Sequence, residues 1–375
     1  MRRPVIGAVS RSTATRSTVA RSIAVRVTAA CAVAGVVAAV GPPAAQGTGA
    51  TALPDATAVA SATGTLRVAS FNIQSVATDR TSGAQKPWKS RRSAVVSTIL
   101  GERPDVLGVQ EANPSPSFAS HLVNGDNQFL DLRNGLNSAG GNYKLTNAYA
   151  FNCVNARTNY KCVKKSRGAS HSERILYNAD TIELVSQGAV KYASQSSSEP
   201  RYLAYAVLRQ KSTGKKFYFA DTHLASSPAS TTVAQWKGLV SWVKGHAAGL
   251  PVIVVGDFNT QKRMPNAKEM LPAMRRAGFG DVLNQEYMVN PIAAPRAQST
   301  VAGWANTFNY ESKDVTTYSP YTTRREKAGD NIDWVFATNS LPVLQWKVAG
   351  FNLQTLLVDG TLPSDHNMVR ADLKL

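Results

Sequence analysis

The stretch VIVVGDFNT, residues 252–260, constrains this chain more tightly than any other. Its four leading residues are all β-branched and apolar, which reads as a strand buried on both faces. Gly256, Asp257, Phe258 and Asn259 then break the run. A carboxylate and an amide at the carboxyl end of such a strand either cap a turn or point into a site.

Five other segments repeat the anomaly. VASFN ends at Asn72, VLGVQE ends at Gln110 and Glu111, and FYFADTHL delivers Asp221 and His223. IDWVF begins with Asp333, and LPSDHN supplies Ser364, Asp365 and His366 ahead of the last apolar run. Any one of these reads as a cap or turn. Six in one domain do not, because a polar group buried without a partner is costly. Ligand sites in α/β sheets form at strand ends, so the six segments point to one site.

Periodicity supplies the frame. Strands are predicted at 66–73, 105–112, 174–178, 202–208, 216–224, 251–258, 332–338 and 367–375. A helix is predicted over 88–101, with Trp88, Val95 and Ile99 inward and Arg91 and Arg92 on the remaining turns. A second, over 232–246, carries Val233, Trp236, Val240 and Val243 on one stripe, and a third is predicted at 266–277. Residues 279–330, rich in Asn, Thr, Tyr and Pro, read as long loops. Loose alternation of strands and helices without an internal repeat implies one α/β domain with layered sheets.

The first 45 residues hold six arginines and no acid, then the uncharged run VTAACAVAGVVAAV at 27–40 and a small-residue exit. This reads as an export signal, too short to span a bilayer stably. Residues 46–64 read as a linker, and 65–375 as the folded domain. Of 42 basic residues, the 36 outside the signal oppose 24 acids, a net of +12 that favours polyanions. Cys153 and Cys162, nine apart in an exported chain, suggest a disulfide.

The strand-end set lacks a Gly-rich phosphate loop, a Ser nucleophile elbow and zinc-type Cys/His spacing. Carboxylate and amide oxygens suit a hard cation, Mg²⁺ or Ca²⁺. Such a cation, two histidines and a basic exterior suit metal-assisted hydrolysis of phosphate esters.

LRVASFN, VLGVQE, THL, GDFN, IDWVF and SDH, in that order, resemble the endonuclease/exonuclease/phosphatase superfamily of deoxyribonuclease I. The resemblance covers roughly residues 66–375. It implies a four-layer α/β sandwich with two central mixed sheets flanked by helices. It also implies a metal site at Glu111, with Asn72 and Asp365 completing or supporting it, for Mg²⁺ or alternatively Mn²⁺ or Ca²⁺. Asp257 and Asn259 would orient the attacking water and hold the phosphate. His366 would be the general base, oriented by Asp333, and His223 would donate to a phosphate oxygen. SERILYN matches the deoxyribonuclease branch, which makes Glu173 the partner of His223.

The substrate expected is nucleic acid, DNA first and RNA second, cleaved by a secreted monomer. Arg157, Lys161, Lys164, Lys165, Arg167 and Arg174 form a basic segment beside Glu173. Arg201, in Glu199-Pro200-Arg201, resembles a DNA-contacting arginine of that branch. His171 stands where deoxyribonuclease I has a groove-inserting tyrosine, so it too is expected at the substrate. The alternative is a phospholipase C of the sphingomyelinase type, seated on a membrane by Trp304, Phe308, Tyr318, Tyr321, Trp346 or Phe351.

Overall fold

The layers of this protein follow from which way successive side chains point along its central strands. On β1 (Thr65–Asn72), Leu66 and Val68 enter a core between two sheets, while Ala69 and Phe71 pack beneath helices. On β8 (Val252–Asp257), Ile253 and Val255 enter the same inter-sheet core, and Val252 and Val254 face a second helical layer. The apolar run at 252–255 is therefore buried on both faces.

The computed structural model describes residues 64–79, 86–152, 167–196, 199–262, 264–284, 296–303, 305–309, 331–349, 357–358 and 360–375. The remaining strands are β2 (Val106–Gln110), β3 (Tyr143–Leu145), β4 (Arg174–Asn178), β5 (Ile182–Lys191), β6 (Tyr202–Gln210) and β7 (Lys216–His223). Then come β9 (Phe279–Asp281), β10 (Ala297–Val301), β11 (Asp333–Thr338), β12 (Val343–Ala349) and β13 (Met368–Lys374). Among the described residues they form a seven-stranded sheet, β10-β12-β13-β1-β2-β4-β3, and a six-stranded sheet, β5-β6-β7-β8-β11-β9.

Helices cover the two outer faces. α1 (Trp88–Glu102) and α2 (Gln128–Ser138) bury Trp88, Val95, Ile99, Phe129 and Leu132 against the first sheet. α3 (Ala229–His246) and α4 (Pro265–Arg276) bury Trp236, Leu239, Val243, Met270 and Met274 against the second. Three apolar interfaces thus separate four layers, the architecture that the resemblance implies. No helix among the described residues is long and apolar enough to cross a membrane.

Topology brings the polar strand ends to one edge. β1 runs parallel to β2, and β7 parallel to β8, so all four deliver their carboxyl ends together. β13 is antiparallel to β1 and β11 is antiparallel to β8, so these two begin where the others finish. Register aligns Asn72 with Gln110, and places Asp257 between His223 and Asp333.

Candidate active site

Asp257 is the hub. Its Oδ2 lies 3.3 Å from His223 Nε2, 3.7 Å from His366 Nε2 and 3.1 Å from Asn72 Nδ2, which donates to it. Its Oδ1 accepts the Asn259 N–H at 2.8 Å, closing the turn after β8. Asn259 sits at φ 47°, a left-handed conformation that asparagine tolerates better than most residues. Its Nδ2 donates to the Leu224 carbonyl at 2.9 Å and meets His223 Nε2 at 3.0 Å. Asp257 is thus both a turn cap and a site residue.

Asp333 Oδ2 and His366 Nδ1 are 2.9 Å apart and both residues are buried. Burial alone would lower His366, but the charges of Asp333, Asp257 and Asp365 hold it well above the ordinary imidazole value. Burial and the Asp333 charge push Asp257 upward. His223 moves the other way: burial, then the charges of Arg201 and His366, hold it well below its usual value and neutral. The two histidines are therefore in opposite protonation states at neutral pH.

Glu111 follows β2 in a left-handed conformation, φ 61°. Its Oε1 accepts from Asn72 Nδ2 at 3.1 Å and its Oε2 accepts the Ser75 N–H at 2.9 Å. Because Asn72 Oδ1 accepts the Gln74 N–H at 3.0 Å, the amide nitrogen is the end that faces Glu111 and Asp257. Asn72 therefore holds the Glu111 and Asp257 carboxylates through its amide nitrogen. Ser364 Oγ ties Asp365 to β1, donating to the Asn72 carbonyl at 2.7 Å and lying 3.2 Å from Asp365 Oδ1. Burial and the like charge of Glu111 raise Asp365. Glu111 and Asp365 line one cleft, and carboxylate oxygens of this kind suit a hard divalent cation. Asp257, Asp333 and His366 offer three ligand atoms within 4.8 Å of one another, the one such grouping among the described residues. Asp333 and His366 of this group are also joined by the 2.9 Å hydrogen bond.

Arg91 supports this side, and its role was not legible in the helical pattern. The pattern set Arg91 apart from the buried stripe of α1, yet it is fully buried and donates to the carbonyls of Ile73 at 2.6 Å, Gln74 at 2.8 Å and Pro363 at 3.0 Å. It clips the turn after Asn72 to the turn before Asp365. Burial lowers its pKa to about 10, opposed by the charges of Asp79, Asp365 and Glu111.

Glu111, Asp365, Asp257, His366 and Arg201 share one cleft of about 410 Å³, which His223, Asn259 and Phe308 also line. Phe308 packs its ring 5.0 Å from that of His366. Arg201 is held by Gln195, whose Oε1 accepts its N–H at 2.8 Å and whose Nε2 donates to its carbonyl at 3.0 Å.

Other expected residues stand apart. No hydrogen bond joins Glu173 to His223: both Glu173 oxygens and His223 Nδ1 are buried without a hydrogen-bond partner among the described residues. Burial raises Glu173 to about 8, against the pull of Arg201. Asp221, two residues before His223, lies deeper between the sheets, accepting from Gln110 Nε2 at 2.6 Å. Arg174, read as part of a substrate-facing basic segment, is buried and occupied by the carbonyls of His171 at 2.8 Å and Tyr149 at 2.8 Å. His171 pairs its Nδ1 with Ser172 Oγ at 2.9 Å, and burial with nearby cations lowers it to about 4. Arg167 stacks on Tyr149 and lines a different cleft. Trp346 is not a membrane anchor. It is 2 % exposed on β12, inside the inter-sheet core. Arg157, Lys161, Lys164, Lys165, Cys153, Cys162, Trp304, Tyr318, Tyr321 and Phe351 lie outside the described residues, as does the expected export segment.

Phosphoesterases are the class that this sandwich and its oxygen, imidazole and guanidinium groups define. The chain belongs to the endonuclease/exonuclease/phosphatase family, whose sequence model matches residues 69–366. No curated protein matches it in a sequence search. Among solved structures it resembles a mannosyl-6-phosphatase from Bacteroides thetaiotaomicron VPI-5482, with TM-score 0.58 and 19% identity over 83% of this chain and 100% of that one. An endonuclease/exonuclease/phosphatase from Bacteroides vulgatus gives TM-score 0.58 and 21% identity over 83% and 99%. D. rerio TDP2, complexed with single-strand DNA product, gives TM-score 0.52 and 15% identity over 83% and 99%. At these identities the likeness concerns the fold.

Proposed function

We propose that this protein is an exported, metal-dependent phosphodiesterase that hydrolyses nucleic acid, DNA first, by in-line attack of water. The observation that carries the reading is one cleft in which Glu111 and Asp365 face the Asp257, His366 and His223 cluster, with Arg201 at its wall. Glu111 and Asp365 would hold Mg²⁺, or alternatively Mn²⁺ or Ca²⁺, with Asn72 steering Glu111. Bound there, the cation supplies charge neutralisation at the phosphate.

The chain's own groups divide the remaining work. Asp257 and Asn259 orient the water, and Arg201 presents positive charge to the phosphate oxygens. The Asn259 contact and its neutral state make His223 a polar wall in the free protein, and it donates to phosphate only after Nε2 is protonated. His366 handles the proton at Nε2 while Asp333 holds Nδ1. Because His366 starts protonated, it must lose that proton before accepting one from water.

Nucleic acid is supported by the basic surplus of the folded part and by Arg201 in the cleft. Export, the Cys153–Cys162 disulfide and substrate contacts by Lys161, Lys164, Lys165, Arg167 and His171 belong to the same proposal, as does a monomeric state. The sphingomyelinase alternative loses Trp346 as a membrane contact.

The test is parallel assay of purified protein on plasmid DNA, RNA and sphingomyelin liposomes, with and without EDTA. DNA cleavage is expected, lost in EDTA and reduced by several orders of magnitude in Glu111→Ala. Full activity in excess EDTA refutes the metal, and liposome hydrolysis without DNA cleavage refutes the substrate.

A further inference from the structure

Beside the site lies an aromatic–cation pair, Tyr149 with Arg167, whose exposed tyrosine the chemistry above leaves unused. Tyr149 is 46 % exposed, and the Arg167 guanidinium carbon lies 3.4 Å from the centroid of its ring. Both line a second cleft of about 500 Å³, whose walls include Pro114, Pro116, Leu130 and Phe151.

The pair is held in place by polar side chains, of which Asn147 and Arg174 are buried. Asn147 accepts the Tyr149 N–H at 2.7 Å and donates to the Arg167 carbonyl at 2.7 Å. Asn152 Oδ1 accepts the N–H groups of Arg167 at 3.0 Å and Ala169 at 2.9 Å. Arg174, 1 % exposed, donates to the Tyr149 carbonyl at 2.8 Å and the Ala150 carbonyl at 3.2 Å. Burying an arginine and an asparagine costs free energy unless every group is satisfied. Here they preorganise a tyrosine that does no core packing. Pro114 lies only three residues beyond Glu111, a chain reach of about 10 Å, so a strand held at Glu111 passes close to this cleft.

We propose that this second cleft is a stacking subsite, in which an unpaired nucleobase flanking the scissile phosphate lies against the Tyr149–Arg167 pair. The inference rests on the nuclease reading and deepens it. A flat ring under a guanidinium suits a flat heteroaromatic ring, which every base presents, so the subsite is sequence-tolerant. A base must leave its duplex partner to enter, so single-stranded or frayed substrate is favoured over duplex interior.

The test uses single-stranded DNA oligonucleotides with one abasic residue placed at successive positions, and bis(p-nitrophenyl) phosphate as a diester too small to reach the second cleft. Tyr149→Ala should raise KM for the intact oligonucleotide roughly five- to tenfold. Its kcat and its rate on the small diester should stay near those of the parent protein, and Tyr149→Trp should restore KM. In the parent, one abasic position near the cleavage point should raise KM, and in Tyr149→Ala that position should no longer matter. If the parent cleaves the oligonucleotide and Tyr149→Ala does so with unchanged KM, the subsite is overturned and the nuclease reading stands. If the parent hydrolyses only the small diester, the nuclease reading falls and the subsite falls with it.

Discussion

Gly256 stands one residue before the hub of the site, where β7 and β8 run side by side. Its φ is 152°, and a β-carbon built on it would lie 2.1 Å from the carbonyl oxygen of Thr222, a backbone atom. An ordinary contact needs about 3.4 Å, so Gly256→Ala must push the two strands apart by more than an ångström. One or two ladder hydrogen bonds lengthen, at about 1 kcal/mol each, and backbone strain at this φ adds about 1–3 kcal/mol. The total, roughly 2–5 kcal/mol, lowers the melting temperature by roughly 3–8 °C at this chain length. Turnover falls further than stability, because the shift falls between His223 and Asp257, now 3.3 Å apart. An ångström of misplacement costs up to about 100-fold in rate. Calorimetry and turnover at saturating substrate check both. Gly245→Ala, near the end of α3 with nothing within 4 Å of the added carbon, is the control and should leave stability equal or about 0.5 kcal/mol higher. If Gly256→Ala melts with the parent protein and keeps its turnover, the close approach of these strands is not what places Asp257.

Asp333→Asn removes the largest charge that raises His366, so the limb of the pH–kcat/KM profile where activity rises with pH should move to lower pH. An unmoved limb would detach His366 from Asp333. Glu173→Gln should flatten a pH dependence of stability. With a folded value near 8 and an ordinary value of 4.5, the protonated carboxyl favours folding below pH 4.5, and that contribution is lost as pH rises through 8. Melting temperatures across pH 5–9 should therefore fall less steeply in the variant than in the parent. Arg91→Lys keeps a charge but not a planar fork for three carbonyls, and should weaken metal-dependent activity at least tenfold. A metal titration showing unchanged activity and unchanged midpoint would remove Arg91 from the support of Glu111 and Asp365.

Local patterning carried the central strands. The apolar runs at 106–109 and 252–255 read as strands covered on both sides, the mostly apolar 66–71 reads as a strand too, and their polar ends were visible because they break the runs abruptly. The edge strand β5, the strand β12 and the helix α2 escaped the pattern. Residues on β5 are largely exposed, and α2 begins with a cap, Asn127 Oδ1 accepting the Leu130 N–H. Neither leaves a strong period in the sequence.

Which strand-end groups meet was decided only in three dimensions. The residue types of the site and their order along the chain are properties of the sequence, because each sits at the end of an apolar run that local propensity already makes a strand. The sequence shows no difference between Asp221, withdrawn between the sheets, and Asp257, aimed into the cleft. Nor does it separate Arg174, occupied by carbonyls, from Arg201, which faces the cleft. Those outcomes depend on register between β7 and β8, on the packing of two sheets against each other, and on contacts between residues 100 or more apart, such as Asn72 with Asp257 and Gln110 with Asp221. Such contacts have no local signature, since they form only when the layers close.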